Sequence, residues 1–308
     1  MATSNNLGDL LTSIADAIRS KGGTTASINA QAFPSAIMNL PSGGGSEAED
    51  ALVTRTLSTY ENSRVSTIGA YAFYSCSSLM SVSFPNATTI EDYAFYRCSS
   101  LTTALIPYAT TIGSYAFYHC YNLTSASFSN VTSIGSSAFT SCASLTTASF
   151  SNATTIENFA FNNCFKLATI SFPKVTTIGR NAFSYCSSLT TASFPNTTSI
   201  GNGAFYYCYG LTTISFPKVT YIGSYAFYYC YGLTTISFPN ITTIAYSAFC
   251  GCSKLKTAYF LTSTVPTLFA NAFSNCSALT SIYVKSSLVT SFKTTNPWSS
   301  LSSKIIGM

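Results

Sequence analysis

Charge is what this sequence lacks most. Of 308 residues, 14 are Lys or Arg and nine are Asp or Glu, so charged side chains make up 7% of the chain, against roughly 25% in soluble proteins. The few cations form no cluster able to neutralise a row of phosphates, which excludes nucleic acid as a partner. No stretch reaches the ~20 consecutive apolar residues of a membrane-spanning helix, so membrane insertion is not expected. The first residues, MATSNNLGDLLTSIADAIRSK, have neither the basic start nor the unbroken apolar run of a secretory signal, and the expectation is a product made in the cytoplasm. Disorder is excluded by what fills the gap: 23 Phe, 21 Tyr and a hydrophobic content of 47% supply ample material for a core.

The remaining pattern is periodic. Cys76, Cys98, Cys120, Cys142, Cys164, Cys186, Cys208, Cys230 and Cys252 stand 22 residues apart, Cys276 follows after 24, and only Cys250 lies outside the series. Phe73 to Phe249 obey the same interval, each preceded by Ala, with Ala272-Phe273 after the same slip. Ten repeats follow. A fixed period in the twenties marks a solenoid, whose units bury one face only by stacking on neighbours. Regular placement and a reducing compartment point to packed thiols instead of disulfides.

Within one unit, Leu211, Ile214 and Phe216 give the spacing of a short strand, which Pro217 ends because proline cannot donate to a ladder. In the return segment, Ala226, Phe227 and Cys230 have spacings that one helical turn would direct inward. The composite LxxIxFPxxxTxIGxxAFxxCxx closely resembles the BspA-like leucine-rich repeat family of bacterial surface and phage-associated proteins, over residues 65–284. The resemblance implies an α/β-type, right-handed solenoid with one parallel strand ladder. It also implies binding or adhesion without reaction chemistry or cofactor.

The flanks divide further. Leu7, Leu10, Leu11, Ile14 and Ile18 share one helical face, and residues 27–40 form a second amphipathic segment. Residues 1–40 thus read as a helical attachment or oligomerisation module, 41–50 as a flexible acidic linker, 51–64 as an N-terminal cap and 285–308 as a C-terminal cap built on Trp298 and Ile305-Ile306. Alternatively, the N-terminal turns dock on the first repeat. LTSIADAIRSKGGTT with INAQAFPSAI resembles segments of phage and prophage tail or fibre-associated proteins. That resemblance implies anchoring to a virion tail protein or to copies of itself, with a trimer the form that fibres suggest.

Convergent chemistry is sparse. The repeats contain the acids Glu91, Asp92 and Glu157. Glu91 and Glu157 are equivalent positions three units apart, about 14 Å at ladder spacing, too far for the ~5 to 9.5 Å of a glycosidase pair. His119 and Cys120 are sequence neighbours whose side chains diverge, so His119 reads as a surface loop residue. Zinc needs ligands that converge, whereas a column of thiols runs sideways; metal: none is the expectation. Cys250 reads as an exposed replacement of a loop tyrosine. No enzyme is expected.

Two surfaces remain. Thr190-Thr191, Thr212-Thr213 and Thr234-Thr235 make a hydroxyl ladder explained by β-propensity, with ice binding as a remote alternative. Around Ala-Phe and Cys the residues vary, and Tyr206, Tyr207, Tyr209, Tyr221, Tyr225, Tyr228, Tyr229, Tyr231 and Tyr246 form a dense group. Tyrosine offers contact area at low rotamer cost with a hydroxyl for polar partners. Such rings either brace the turns or contact a ligand. The expected function is a phage or prophage tail-associated receptor-binding protein that contacts a bacterial surface glycan or protein, located in the virion. The alternative is a bacterial cell-surface adhesin.

Overall fold

The computed structural model describes residues 58–308, and there each unit closes one coil of a parallel β-solenoid. The predicted face of Leu7, Leu10, Leu11, Ile14 and Ile18, the linker and most of the N-terminal cap lie outside the described residues. Leu211 and Phe216 turn inward around the strand Thr213–Ser215, while Thr213 and Ser215 face out. That strand pairs in register with the one a coil earlier, Ala192 opposite Ile214. Eleven such strands run from Thr59–Glu61 to Ser281–Val284, joined into four hydrogen-bonded sheets. The ladder therefore starts inside the segment read as a cap. There Tyr60 stands opposite Val82 and packs its ring on Phe73 at 5.1 Å and on Phe84 at 5.5 Å.

A second ladder was not expected. The Thr-Ile pairs form two-residue strands from Thr67–Ile68 to Thr267–Leu268, and these ten make one unbroken parallel sheet. Two residues are too few to display an alternation, so the period-2 signal of a strand is absent from the sequence.

The return segment makes no helical turn, contrary to the spacing argument. In each of ten coils two residues four apart have positive φ, as Tyr225 at 59° and Tyr229 at 55° do. A left-handed residue breaks a right-handed helix. The consequence is a division of labour among the amides. Tyr228 and Cys230 donate within the coil to Tyr225 O (3.1 Å) and Phe227 O (3.2 Å), whereas Tyr225, Phe227 and Tyr229 donate to Tyr246 O (2.9 Å), Ala248 O (2.7 Å) and Cys250 O (2.8 Å) of the next coil. A helix would have used these donors internally and left this edge of the stack without bonds.

Two aromatic columns fill the interior. From Phe73 to Phe273 each ring stacks on the next with centroids 5.1 to 5.4 Å apart. The second column, Phe128 to Phe260, meets the first tilted or edge-on, tilted where Phe128 meets Phe117 and edge-on where Phe205 meets Phe216 at 5.9 Å, a favoured arrangement of ring quadrupoles. Beside them run the thiols. None of the eleven cysteines is in a disulfide and all are buried. Cys230 Sγ donates to Phe205 O at 3.2 Å, a contact repeated coil after coil. Cys250 is also buried, which corrects its reading as an exposed residue. Thr140 and Ser184 occupy the same place in other coils and are likewise covered, because a short side chain there does not clear its longer neighbours.

At the far end, residues 285–308 fold over the last coil. A short helix, Val289–Thr294, and the strand Ile305–Gly307, which pairs with Ser281–Val284, enclose Trp298. Its ring meets Phe260, Phe273 and Phe292, and Nε1 donates to Pro266 O at 2.7 Å.

Two outcomes test this packing. Phe205→Ala, which opens a hole in a fully buried column, is expected to cost ~3 to 5 kcal/mol in chemical denaturation; a loss under about 1 kcal/mol contradicts the placement. Burial also raises the thiol pKa values throughout the column. Above the ordinary thiol pKa of about 8.5 the unfolded chain loses thiol protons that the folded chain keeps. Stability is therefore present at neutral pH and falls as pH rises, by about 1.4 kcal/mol per pH unit for each thiol. Denaturation midpoints measured from pH 7 to 10.5 check this, and a flat profile contradicts it.

Candidate functional site

The left-handed positions that prevent a helix also set the display of side chains. Residues flanking Ala-Phe repeat at the same place on every coil, so each forms a column along one edge of the solenoid. Where successive coils carry tyrosine, the rings stack. Tyr71, Tyr93 and Tyr115 stack at 4.8 and 4.9 Å, and Tyr74, Tyr96 and Tyr118 at 4.9 Å. In the denser group, Tyr206 stacks on Tyr228 at 5.1 Å, Tyr207 on Tyr229 at 5.3 Å and Tyr209 on Tyr231 at 5.3 Å. Tyr185 extends the middle column.

The nine tyrosines singled out in the sequence do not form one uniform row. Tyr206, Tyr207, Tyr228 and Tyr229 are half-buried and brace the turns, while Tyr209, Tyr225, Tyr231 and Tyr246 are exposed. Tyr221 is exposed as well, but it belongs to the short-strand ladder, paired with Ser199 and Thr243. Tyr246 leans on Phe269 at 4.9 Å. Crowding changes the phenols: a hydrogen bond with Tyr229, followed by burial, pushes the Tyr228 hydroxyl up to about 12. Burial, then a hydrogen bond with Tyr207, raises that of Tyr206.

Near its middle the edge opens into a groove of about 520 Å³. Phe159, Tyr185, Tyr206 and Tyr225 supply its rings, Asn162, Asn181 and Asn202 its amides, and Arg180 its only charge. Phe159, Arg180, Asn181 and Asn202 escaped the sequence reading, which followed tyrosine alone. The signal was present as a change of residue along one column: Tyr115, Ser137, Phe159, Asn181, Gly203, Tyr225.

The other polar residues take structural places. Glu91 Oε2 accepts from Ala70 N–H at 2.8 Å on the preceding coil, and Asp92 Oδ1 from Ser114 N–H at 2.6 Å on the following one, so the two carboxylates diverge. His119 is more enclosed than a loop residue, since its ring stacks on Tyr118 at 4.1 Å and Nδ1 lies 3.0 Å from Tyr121 Oη. Burial, then Arg97, lowers its pKa. Cys120 points into the core beside it, Sγ donating to Phe95 O at 3.1 Å. Along the threonine face, Thr212 donates its hydroxyl to Thr190 O at 3.1 Å and Thr146 to Thr124 O at 3.0 Å, so this column ties coils together. Among the described residues no three His, Cys, Asp or Glu converge as a metal site, and no helix is long and apolar enough to cross a membrane.

The chain is similar to solved leucine-rich repeat proteins. A Treponema pallidum leucine-rich repeat protein is 32% identical, with 48% of this chain and 72% of that one covered at a TM-score of 0.47. A leucine-rich cell surface protein of Faecalibacterium prausnitzii is 26% identical over 82% of this chain and 83% of that one, with a TM-score of 0.37. A leucine-rich repeat protein of Bacteroides ovatus is 18% identical over 81% and 92%, with a TM-score of 0.36. No curated protein matches the sequence. The model of the BspA-type leucine-rich repeat region matches residues 66–190 and 176–296 in six copies. With the repeat matched over well more than half its length, the chain belongs to the BspA-type leucine-rich repeat family.

Proposed function

We propose that this protein is a non-catalytic binding and adhesion element of a bacterial cell surface, and that its tyrosine-rich turn edge contacts a surface glycan or protein. One observation carries the reading: three stacked tyrosine pairs, Tyr206 with Tyr228, Tyr207 with Tyr229 and Tyr209 with Tyr231, stand side by side on a backbone-bonded edge. Rings held in this way lose little freedom on binding, which lowers the entropic cost of a complex. Membership of the BspA-type family favours the cell surface over the virion as the setting. The tail-associated reading rests on residues 1–40, outside the described residues, and no observation favours it.

Enzymatic turnover is not part of the proposal, because the acids of the array diverge and His119 is engaged by tyrosines. Replacing Tyr206, Tyr207, Tyr228 and Tyr229 by Ser tests it. In protein whose circular dichroism shows it folded, binding to whole bacterial cells and to a printed panel of surface glycans is expected to weaken about thirtyfold or more. Unchanged binding removes the turn edge as the recognition surface.

A further inference from the structure

The column that carries Tyr71, Tyr93 and Tyr115 as stacked rings is broken once at Ser137, resumes at Phe159, is broken over two successive coils at Asn181 and Gly203, and regains a ring at Tyr225. At ladder spacing, Phe159 and Tyr225 are about 14 Å apart across three coils. The space between them is the groove, with Tyr206 along its side. Tyr225 meets Tyr228 edge-on at 5.5 Å and is exposed. Its face toward Gly203 borders the groove where the earlier column would have placed another ring.

The shape of the gap is fixed by the backbone. Gly203 has a φ of 64°, and a Cβ there would come within 2.0 Å of Asn181 Oδ1. Tyrosine takes the same left-handed conformation at positions 71, 93, 115 and 225, so backbone geometry does not require glycine here. Glycine leaves the column without a ring here and lets the Asn181 side chain lean across the position, so the groove lies between that amide and Tyr225.

Two ligand chemistries suit a slot between rings: an aromatic side chain and a pyranose. The lining separates them. Asn202 accepts Ser224 N–H through Oδ1 at 2.9 Å, which turns its amide N–H groups toward other acceptors, and Asn181 borders the same space. A buried aromatic ring would desolvate these amides without pairing them, at a cost, whereas the hydroxyls of a sugar pair them while its C–H face lies on Tyr225. Arg180, exposed at the rim with its guanidinium 5.9 Å over Phe159, is the only charged group lining the groove. A planar guanidinium pairs a carboxylate through two parallel hydrogen bonds.

We infer that the groove between Phe159 and Tyr225 is a subsite for one acidic pyranose residue of a surface polysaccharide. Its ring lies against Tyr225 in the slot left by Gly203, and its carboxylate pairs with Arg180. The inference rests on the surface-recognition reading and gives it a ligand class.

The test uses the full chain on an array of oligosaccharides bearing galacturonate, glucuronate or N-acetylneuraminate, printed beside their carboxyl-reduced neutral counterparts, with hits measured by titration calorimetry. At least one acidic sugar is expected to bind, and its neutral counterpart about tenfold or more weaker. Arg180→Gln is expected to abolish that preference. Gly203→Tyr places a ring in the groove on a backbone that tyrosine already adopts in four other coils, displacing only the end of the Asn181 side chain; it is expected to keep the thermal midpoint and remove sugar binding. Absence of binding to every acidic sugar, equal binding of acidic and neutral forms, or binding that survives Gly203→Tyr overturns the inference, as does selective uptake of a Tyr- or Trp-bearing peptide in place of a sugar. None of these variants alters Tyr206, Tyr207, Tyr228 or Tyr229. A groove that fails while the tyrosine replacements still abolish cell binding therefore sinks this inference alone.

Discussion

Coil-to-coil hydrogen bonding at the turn edge is the constraint on which the rest of this structure depends. Strand ladders hold the other sides of the coil, but the segment around Ala-Phe has no strand. It joins its neighbours only because left-handed residues, two in each of ten coils, aim alternate amides along the solenoid axis. Non-glycine residues in that conformation are unfavourable by roughly 1 kcal/mol or more each. The three inter-coil bonds they permit, together with the Phe column they place inward, offset that cost. Both effects need the neighbouring coil, so the unit has no reason to adopt its conformation alone.

The same constraint produces the recognition surface. Side chains that leave a left-handed turn recur at one spacing of about 5 Å, the distance at which tyrosine rings stack in the columns. Variation along a column is then free to shape the surface without disturbing the core, because Phe227, Cys230 and the alternating amides remain constant behind it. A ring column and a gap in a ring column are both readable as surface features on one rigid frame. The threonine face shows the opposite behaviour: it hardly varies, and its hydroxyls donate to the preceding coil.

Much of this was legible in the sequence, and the failures have physical reasons. The 22-residue interval of Phe and Cys gives the solenoid, the stacked Phe interior and the thiol column directly, since only stacking satisfies such a repeat. The short Thr-Ile ladder was invisible because two residues carry no period. The helical turn expected at Ala226, Phe227 and Cys230 was the wrong conformation for the right burial: all three residues are buried, but spacing alone does not report the sign of φ at Tyr225 and Tyr229. The tyrosines were legible as an edge, whereas the groove was not, because it is defined by the absence of a ring at Gly203 and by Arg180, residues that composition does not mark.

Amide hydrogen exchange across one turn measures the central constraint most directly. The N–H groups of Tyr225, Phe227 and Tyr229, which donate to the next coil at 2.7 to 2.9 Å, are expected to exchange only through unfolding of the array, with protection equal to that of the strand amides. Exchange of these three at the rate of an open surface loop, while the strands stay protected, would contradict the account.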